Sequence, residues 1–90
     1  MTPRRFRLVV AGPAKRDLAR LPEKATPAVI ETFEAIAANP HRVGKPLKLE
    51  LAGRFVARRG PYRVIYTIDG AEHLVVIRSI GHRDDVYRRR

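Results

Sequence analysis

The feature that most constrains this chain is an alternating apolar pattern in its second half. Two strand-like runs, residues 62–68 and 73–80, are joined through Asp69-Gly70. Asp-Gly between β-branched, alternating runs is a strong hairpin signal, because the type I′ turn needs positive φ at both central residues. A third run, residues 54–59, precedes them across Gly60-Pro61. The second half therefore predicts a three-stranded antiparallel meander.

The first half predicts one strand followed by two helices. Residues 4–10 alternate, so that Phe6, Leu8 and Val10 share one face of a half-buried strand. Gly12-Pro13 ends the strand, and apolar residues at helical spacing indicate a short amphipathic helix over residues 13–21. A longer helix is expected over residues 23–38, or from Thr26 as N-cap, and Asn39-Pro40 stops it.

The predicted element order is β-α-α-β-β-β, with residues 41–51 as a loop. We expect an α+β fold in a single domain spanning residues 1–90, because this length supports one modest core. A small antiparallel sheet would carry the helical hairpin on one face. The other face would stay open, and it would carry arginines.

Net charge is the most informative total. The chain has 19 basic and 9 acidic residues, a formal charge of +10, and 15 of the basic residues are arginine. Such a field attracts polyanions, and arginine makes bidentate contacts with phosphate, although a GC-rich coding bias also favours arginine over lysine. There is no cysteine, and no apolar run approaches the ~20 residues of a membrane span. A cytoplasmic protein without disulfides or membrane attachment is expected.

A small set of residues could act on a phosphodiester. Strand alternation places Arg63 on the open face, and Arg58 could approach it across the hairpin. His82, Arg83 and Tyr87 follow the last predicted strand. RNA can be cut without a metal when its 2′-OH attacks the adjacent phosphorus, which requires proton transfer and cations around the phosphate. Histidine suits this proton transfer, and nearby arginines would lower the pKa of a tyrosine.

Each of these residues also has a purely structural interpretation. Arg63 could be a solvated strand residue, Tyr87 a core anchor, and His82-Arg83-Asp84 a local salt-bridged turn. Asp84-Asp85 does not predict a metal site, because adjacent carboxylates diverge on a helix and no third ligand is evident. The residues alone indicate a basic α+β domain that binds a polyanion.

Several motifs together resemble the RelE/ParE toxin superfamily. They are P-A-K-R-D-L-A-R-L-P, a helix ending in A-N-P, then G-K-P-L, A-R-R-G-P-Y-R-V-I-Y and S-I-G-H-R-D-D-V-Y-R. The resemblance covers roughly residues 6–88. The last two motifs are the specific ones, and the ending G-H-R-D-D-V-Y-R is closer to the RelE branch.

The resemblance implies a RelE-like fold and a toxin of a bacterial type II toxin–antitoxin pair. It implies cleavage of mRNA in the ribosomal A site, on 16S rRNA, by metal-independent 2′-OH attack and without a cofactor. It also implies a small antitoxin that covers the basic site, with operator DNA bound only through that antitoxin.

Site residues are implied by the same motifs. Arg63 and Arg83 match phosphate-stabilising arginines, and Tyr87 matches the C-terminal base or stacking residue, with His82 as a second proton-transfer candidate. Neither His82 nor Tyr87 is singled out as the base. The expected RNA-phosphate contacts are Arg58, Arg54, Lys48 and Lys45.

One position departs from the family pattern. Relatives often carry a basic residue two places before Arg58, where this chain has Val56. Arg54 or Arg59 could supply that charge, but strand alternation points Arg59 to the other face. A ParE-like inhibitor of DNA gyrase, or a catalytically weak member that mainly binds its antitoxin, remain alternatives.

Overall fold

The computed structural model describes residues 4–82, and its strands form one sheet in the order β1-β5-β4-β3-β2. Its elements are β1 (Arg7–Val10), α1 (Gly12–Ala19), α2 (Thr26–Ala38), the one-turn α3 (Pro40–Val43), β2 (Lys45–Pro46), a 3-10 turn (Leu49–Leu51), β3 (Phe55–Arg59), β4 (Tyr62–Asp69) and β5 (Leu74–His82). The α+β fold and the three-stranded meander are confirmed.

The sheet is mixed, so the prediction of a purely antiparallel sheet is wrong for its first strand. β2 to β5 pair antiparallel with their neighbours, whereas β1 lies parallel to β5. The alternation of Leu8 and Val10 determines which face of β1 is buried, but not its partner or direction. Because α1 and α2 lie between β1 and the other strands in the sequence, the connection from β1 to β5 is long enough for a parallel pair. The two-residue β2 is too short to show any periodicity in the sequence.

Both long helices cover the same face of the sheet, which we call the helix side. α2 starts at Thr26, as one predicted boundary had it, but Ala25 rather than Thr26 occupies the N-cap position. The Thr26 hydroxyl instead donates to the Pro22 carbonyl at 3.3 Å. The fully or largely buried core joins helix and sheet side chains: Ala14, Val29, Phe33, Ile36, Ala57, Val64, Tyr66, Val75, Ile77 and Ile80. No helix within residues 4–82 is both long and apolar enough to cross a membrane.

The two hairpins of the meander use different turns. Gly60-Pro61 is a two-residue loop with Gly60 at φ 56°, which fits a turn with glycine at its first central position. The predicted type I′ turn at Asp69-Gly70 is wrong, because Asp69 pairs with Leu74 and the loop has four residues, 70–73. The Asp69 carboxylate accepts the Glu72 N–H at 3.0 Å, which favours this longer loop. His73 takes the positive φ of 54° instead.

A β-bulge in β5 changes which side chains face the helices. Tyr66 is paired with Ile77 and Ile65 with Ser79, so Arg78 has no partner of its own on β4. Ile77 and Ile80 are both buried on the helix side although they are three residues apart. The extra residue therefore keeps both isoleucines in the core and turns Arg78 and Ser79 together to the opposite face.

Asp17 connects α1 to β5 beyond the end of β1. Its carboxylate Oδ2 accepts the Ile80 N–H at 2.9 Å, and the residue is only 3% exposed. The pairing between β1 and β5 ends at Val10 and Ile77, so no strand within residues 4–82 takes this N–H on that edge. A buried backbone donor costs free energy when unsatisfied, and Asp17 removes that cost.

Tyr66 fixes the segment after α2 to the middle of the sheet. It is fully buried, and its hydroxyl donates to the Pro40 carbonyl at 2.6 Å. Burial raises the pKa of Tyr66, while a hydrogen bond with the Gly44 backbone acts in the opposite direction. Tyr66 is thus a core residue, and the partly buried Phe55 and Tyr62 pack against the same core cluster.

Candidate nucleic-acid interface

The sheet face turned away from the helices, here called the open face, carries one cation from each strand. Residues paired across a sheet share a face, and successive residues alternate between faces. The registers and the bulge therefore place five cations on the open face: Arg7, Lys45, Arg58, Arg63 and Arg78.

Arg58 and Arg63 form the centre of the candidate site. They are directly opposite each other on β3 and β4, next to the Gly60-Pro61 turn. The Arg63 Nη1 donates to the carbonyls of Gly60 and Tyr62 at 3.5 and 3.3 Å, and Arg58 is exposed. Like charges directly opposite each other destabilise a sheet. An anion between the two guanidinium groups would relieve that repulsion.

Carboxylates neutralise arginines on the helix side, not on the open face. Within residues 4–82, the ion pairs are Arg59 with Glu31 at 2.7 Å and Arg5 with Glu34 at 3.0 Å, and both glutamates belong to α2. The prediction that Arg59 points away from Arg58 is confirmed by its partner. The five cations of the open face form no ion pair with any residue in this part of the chain.

Val56 lies on the open face and belongs to a small apolar cluster. It is 7% exposed and packs with Ile65, with Leu47 against both. Lys45 is directly opposite Val56 across the β2–β3 pair. Lys45 therefore places a cation directly beside the position where relatives often carry an additional basic residue, but on β2 instead of β3.

The other two predicted phosphate contacts, Lys48 and Arg54, lie in the segment that connects β2, an edge strand of the sheet, to β3. Lys48 precedes the 3-10 turn and is exposed. Arg54 precedes β3 and is exposed, and its carbonyl accepts the Leu47 N–H at 2.8 Å. Both are accessible to a ligand, although neither belongs to the pairing that places the five open-face cations.

His82 lies on the helix side, across the sheet from Arg63. It is paired with Tyr62, and the two rings meet edge to face with centroids 6.1 Å apart. With α1 and the residues after it, they line a cavity of about 210 Å³ that also includes Asp17, Arg20, Leu21, Pro22 and Ile80. The structure brings Arg58 and Arg63 together but does not bring His82 onto their face.

Two predicted catalytic residues, Arg83 and Tyr87, lie outside the described residues, and their roles stay predictions. Across the part of the chain that is described, no three His, Asp or Glu side chains lie close enough to hold a metal ion together.

Arg78 was not singled out from the sequence. Unbroken alternation would have placed Arg78 on the same face as Ile80, which is buried. The spacing of the core residues was the available signal, because it changes from two between Val75 and Ile77 to three between Ile77 and Ile80. Such a phase change indicates a bulge. Alternation in β1 predicts that Arg7 lies on the face opposite the half-buried Leu8 and Val10. Which residues of the next strand lie beside Arg7 follows only from the β1–β5 register.

Comparisons with known proteins agree with this fold. Residues 8–87 match the family model described as the ParE toxin of the type II toxin–antitoxin system parDE. The toxin RelG of Mycobacterium tuberculosis is 52% identical over 77 residues, covering 84% of this chain and 88% of that protein. The toxin RelE of the same species is 46% identical over 84 residues, covering 92% of this chain and 87% of the relative.

A solved structure shows the same architecture. It is the crystal structure of the toxin–antitoxin complex RelBE2 from Mycobacterium tuberculosis, in which one chain is 45% identical to this one. The two superpose with a TM-score of 0.83, over 88% of this chain and 92% of the other. The family match over most of the chain and the identity of these relatives lead to one conclusion: the chain belongs to the RelE/ParE family, as a toxin of a type II toxin–antitoxin system.

Proposed function

We propose that this toxin is a ribosome-dependent endoribonuclease that cleaves mRNA in the A site and so stops translation. The observation that carries the proposal is the Arg58–Arg63 pair, two arginines directly opposite each other on an open face without carboxylate partners in the described chain. The names RelG and RelE of the relatives at about half identity support it.

The proposed reaction is an internal transfer at phosphorus. The 2′-oxygen of the mRNA loses its proton to a base and attacks the adjacent phosphorus, and the bond to the 5′-oxygen breaks. A proton returns to that 5′-oxygen, which leaves a cyclic 2′,3′-phosphate and a free 5′-hydroxyl. Negative charge grows on the non-bridging oxygens during attack, so Arg63, supported by Arg58, would stabilise the transition state more than the substrate.

Of the two proton-transfer candidates, we favour Tyr87. The His82 ring contacts Tyr62 on the helix side, whereas the arginine pair lies on the open face. A phosphodiester held by Arg58 and Arg63 would therefore be separated from His82 by the sheet. Arg83 would supply a further cation to the phosphate, as the matching motif implies.

The proposal includes the partners that such a toxin needs. The ribosome, including its 16S rRNA, would orient the mRNA, and the reaction would take place in the cytoplasm. An antitoxin would cover the basic surface, as the RelBE2 toxin–antitoxin complex of the structural relative suggests. Binding to operator DNA would come only through that antitoxin.

The alternative function is inhibition of DNA gyrase, which the ParE description of the matching family keeps open. It would be a protein-binding activity without a proton-transfer residue. A toxin that mainly binds its antitoxin is the other alternative.

Three substitutions separate these functions in cells. We expect Tyr87→Phe and Arg83→Ala to abolish growth arrest and mRNA cleavage while the variants still fold and bind the antitoxin. His82→Gln is expected to keep most of the activity, because its ring lies on the helix side. The measurement is growth after induction, with mapping of mRNA ends in the same cultures. Growth arrest by Tyr87→Phe equal to that of the wild type, together with gyrase-dependent DNA breaks, would contradict the nuclease.

A further inference from the structure

We propose that Arg78 and Arg7 extend the Arg58–Arg63 site into a track that holds the backbone of the single-stranded mRNA across the sheet. The inference rests on the proposed function, because it assigns more of the open face to the same substrate. Neither residue belongs to the motifs from which the catalytic set was inferred.

The bulge in β5 is the first observation that carries this inference. Arg78 is the inserted residue, and it is exposed on the open face while Ile77 and Ile80 stay in the core. Bulges occur frequently where a side chain has to be redirected near a functional site. Here the redirected side chain is a cation on the same face as the Arg58–Arg63 pair.

The contact between Arg78 and Thr67 is the second observation. The guanidinium Nε donates to the Thr67 hydroxyl at 3.1 Å. A neutral partner orients the group without cancelling its charge, and the two terminal nitrogens keep their donors for a ligand. This differs from Arg5 and Arg59, whose terminal nitrogens contact glutamates.

The four arginines lie along a diagonal of the sheet. From the Arg58–Arg63 pair the line passes to Arg78 on β5 and then to Arg7 on β1. Arg7 is paired with Leu74, the first residue of β5, which lies opposite the last residue of β4. Strand spacing and rise put the Cα atoms of Arg63 and Arg78 roughly 10 Å apart. Exposed Val9 and half-buried Val76 lie between Arg78 and Arg7, so bases could rest on apolar surface while the phosphates meet arginines.

Charge complementarity favours a polyanion strand as the occupant of the track when the antitoxin does not cover it. From Arg58 to Arg78 and Val9 the described side chains of the open face are cationic, apolar or hydroxyl-bearing, whereas Glu31 and Glu34 are on the helix side. Asp69 lies in the same row as Arg7 but two strands away, and its carboxylate accepts the Glu72 N–H. A phosphate chain gains from each successive cation through counterion release, independently of base sequence. The track therefore positions the mRNA, and the Arg58–Arg63 site acts on it.

The test compares Arg78→Ala with Arg59→Ala, which removes the same charge from the helix side. The first probe is a fluorescein-labelled single-stranded RNA whose anisotropy is followed between low and moderate salt, with poly-U and a mixed sequence in parallel. We expect Arg78→Ala to weaken binding roughly three- to tenfold for both RNAs and to reduce the log–log salt slope by about 0.7. Arg59→Ala should lower neither the affinity nor the slope to this extent.

Thr67→Val distinguishes orientation from charge. The variant keeps all four arginines and a β-branched residue in β4, so the salt slope should stay at the wild-type value. Binding should weaken by about two- to threefold, because the guanidinium of Arg78 loses its fixed direction. An unchanged affinity of Thr67→Val would remove the positioning role of this threonine.

Kinetics on the ribosome complete the test. Arg78→Ala should raise the KM for cleavage and leave the maximal rate within about twofold, because uniform binding affects KM alone. Arg63→Ala should lower the maximal rate.

If Arg78→Ala matches Arg59→Ala in both slope and KM, the track is wrong while the nuclease stands. If Arg78→Ala instead loses co-sedimentation with ribosomes that lack mRNA, the contact is with ribosomal RNA, which also overturns the track. A wild type that never cleaves contradicts the proposed function, and the oligonucleotide arm then decides the track by itself.

Discussion

Replacing Arg63 with alanine is expected to slow ribosome-dependent cleavage of mRNA by about 10²- to 10³-fold at saturating ribosomes. Removing one preorganised donor from a developing oxyanion typically costs that much. We propose Arg63 as this donor, because it lies opposite Arg58. Within residues 4–82 its guanidinium contacts two backbone carbonyls of the hairpin, at 3.3 and 3.5 Å, and no carboxylate. The measurement is the single-turnover rate in a purified translation system.

The matched control is Arg59→Ala, one residue from Arg58 in the sequence. Arg59 lies on the helix side in an exposed ion pair with Glu31, and such pairs contribute about 0–1 kcal/mol to stability. Its cleavage rate should stay within about threefold of the wild type, because the field of one distant exposed charge is screened by salt. Equal losses for both variants would mean that net charge, not the open-face pair, governs the rate. Thermal unfolding of each variant shows whether folding is intact.

Gly44→Ala is expected to lower the free energy of unfolding by about 2–3 kcal/mol, because the added methyl group overpacks a filled core. A Cβ at Gly44 would meet the Tyr66 hydroxyl and lie 2.9 Å from two of its ring carbons. The backbone at Gly44 (φ −99°, ψ 172°) suits alanine, so the effect is steric. Tyr66 cannot easily retreat, since it is fully buried and bonded to Pro40. The expected fall in Tm is roughly 10–20 °C for a domain of this size.

Two further variants test the cause of that loss. Gly70→Ala is the matched control, because nothing lies within 4 Å of a Cβ there and its φ is not in the left-handed region. It should change the free energy of unfolding by less than about 0.5 kcal/mol. Tyr66→Phe removes the hydroxyl that Gly44→Ala would strike. The double variant should therefore lose at least about 1 kcal/mol less than the sum of the single losses. Additive losses would rule out the contact with the hydroxyl as the source of the strain.

Strand alternation could predict the faces of the sheet but not the neighbours of its strands. Arg58, Arg63 and Arg59 were assigned to their correct faces because β3 and β4 alternate without interruption up to the Gly60-Pro61 turn. The parallel pairing of β1 could not be predicted, since it depends on how two helices return the chain. This pairing places Arg7 on the same face of the sheet as the other cations.

Local side-chain contacts account for the remaining differences. Asp-Gly at positions 69 and 70 predicts a type I′ turn, yet the Asp69 carboxylate accepts the Glu72 N–H and the loop takes another conformation. His82 was grouped with Arg63 because it follows the last strand closely. The bulge at Arg78 shifts the alternation of β5, and the strand's continuation then leaves His82 opposite Tyr62. The inserted residue therefore explains why alternation alone does not place Arg78 on the open face. It also explains why His82 lies on the helix side.

The most direct test of the central claim is primer extension on a defined mRNA in a purified translation system, with and without this protein. The proposed nuclease predicts discrete cuts within codons in the A site, present only when ribosomes are added and absent with Arg63→Ala. Active ribosomes and folded protein without any new mRNA ends would contradict the claim. Breakage of DNA by gyrase in a parallel reaction would then identify the alternative activity.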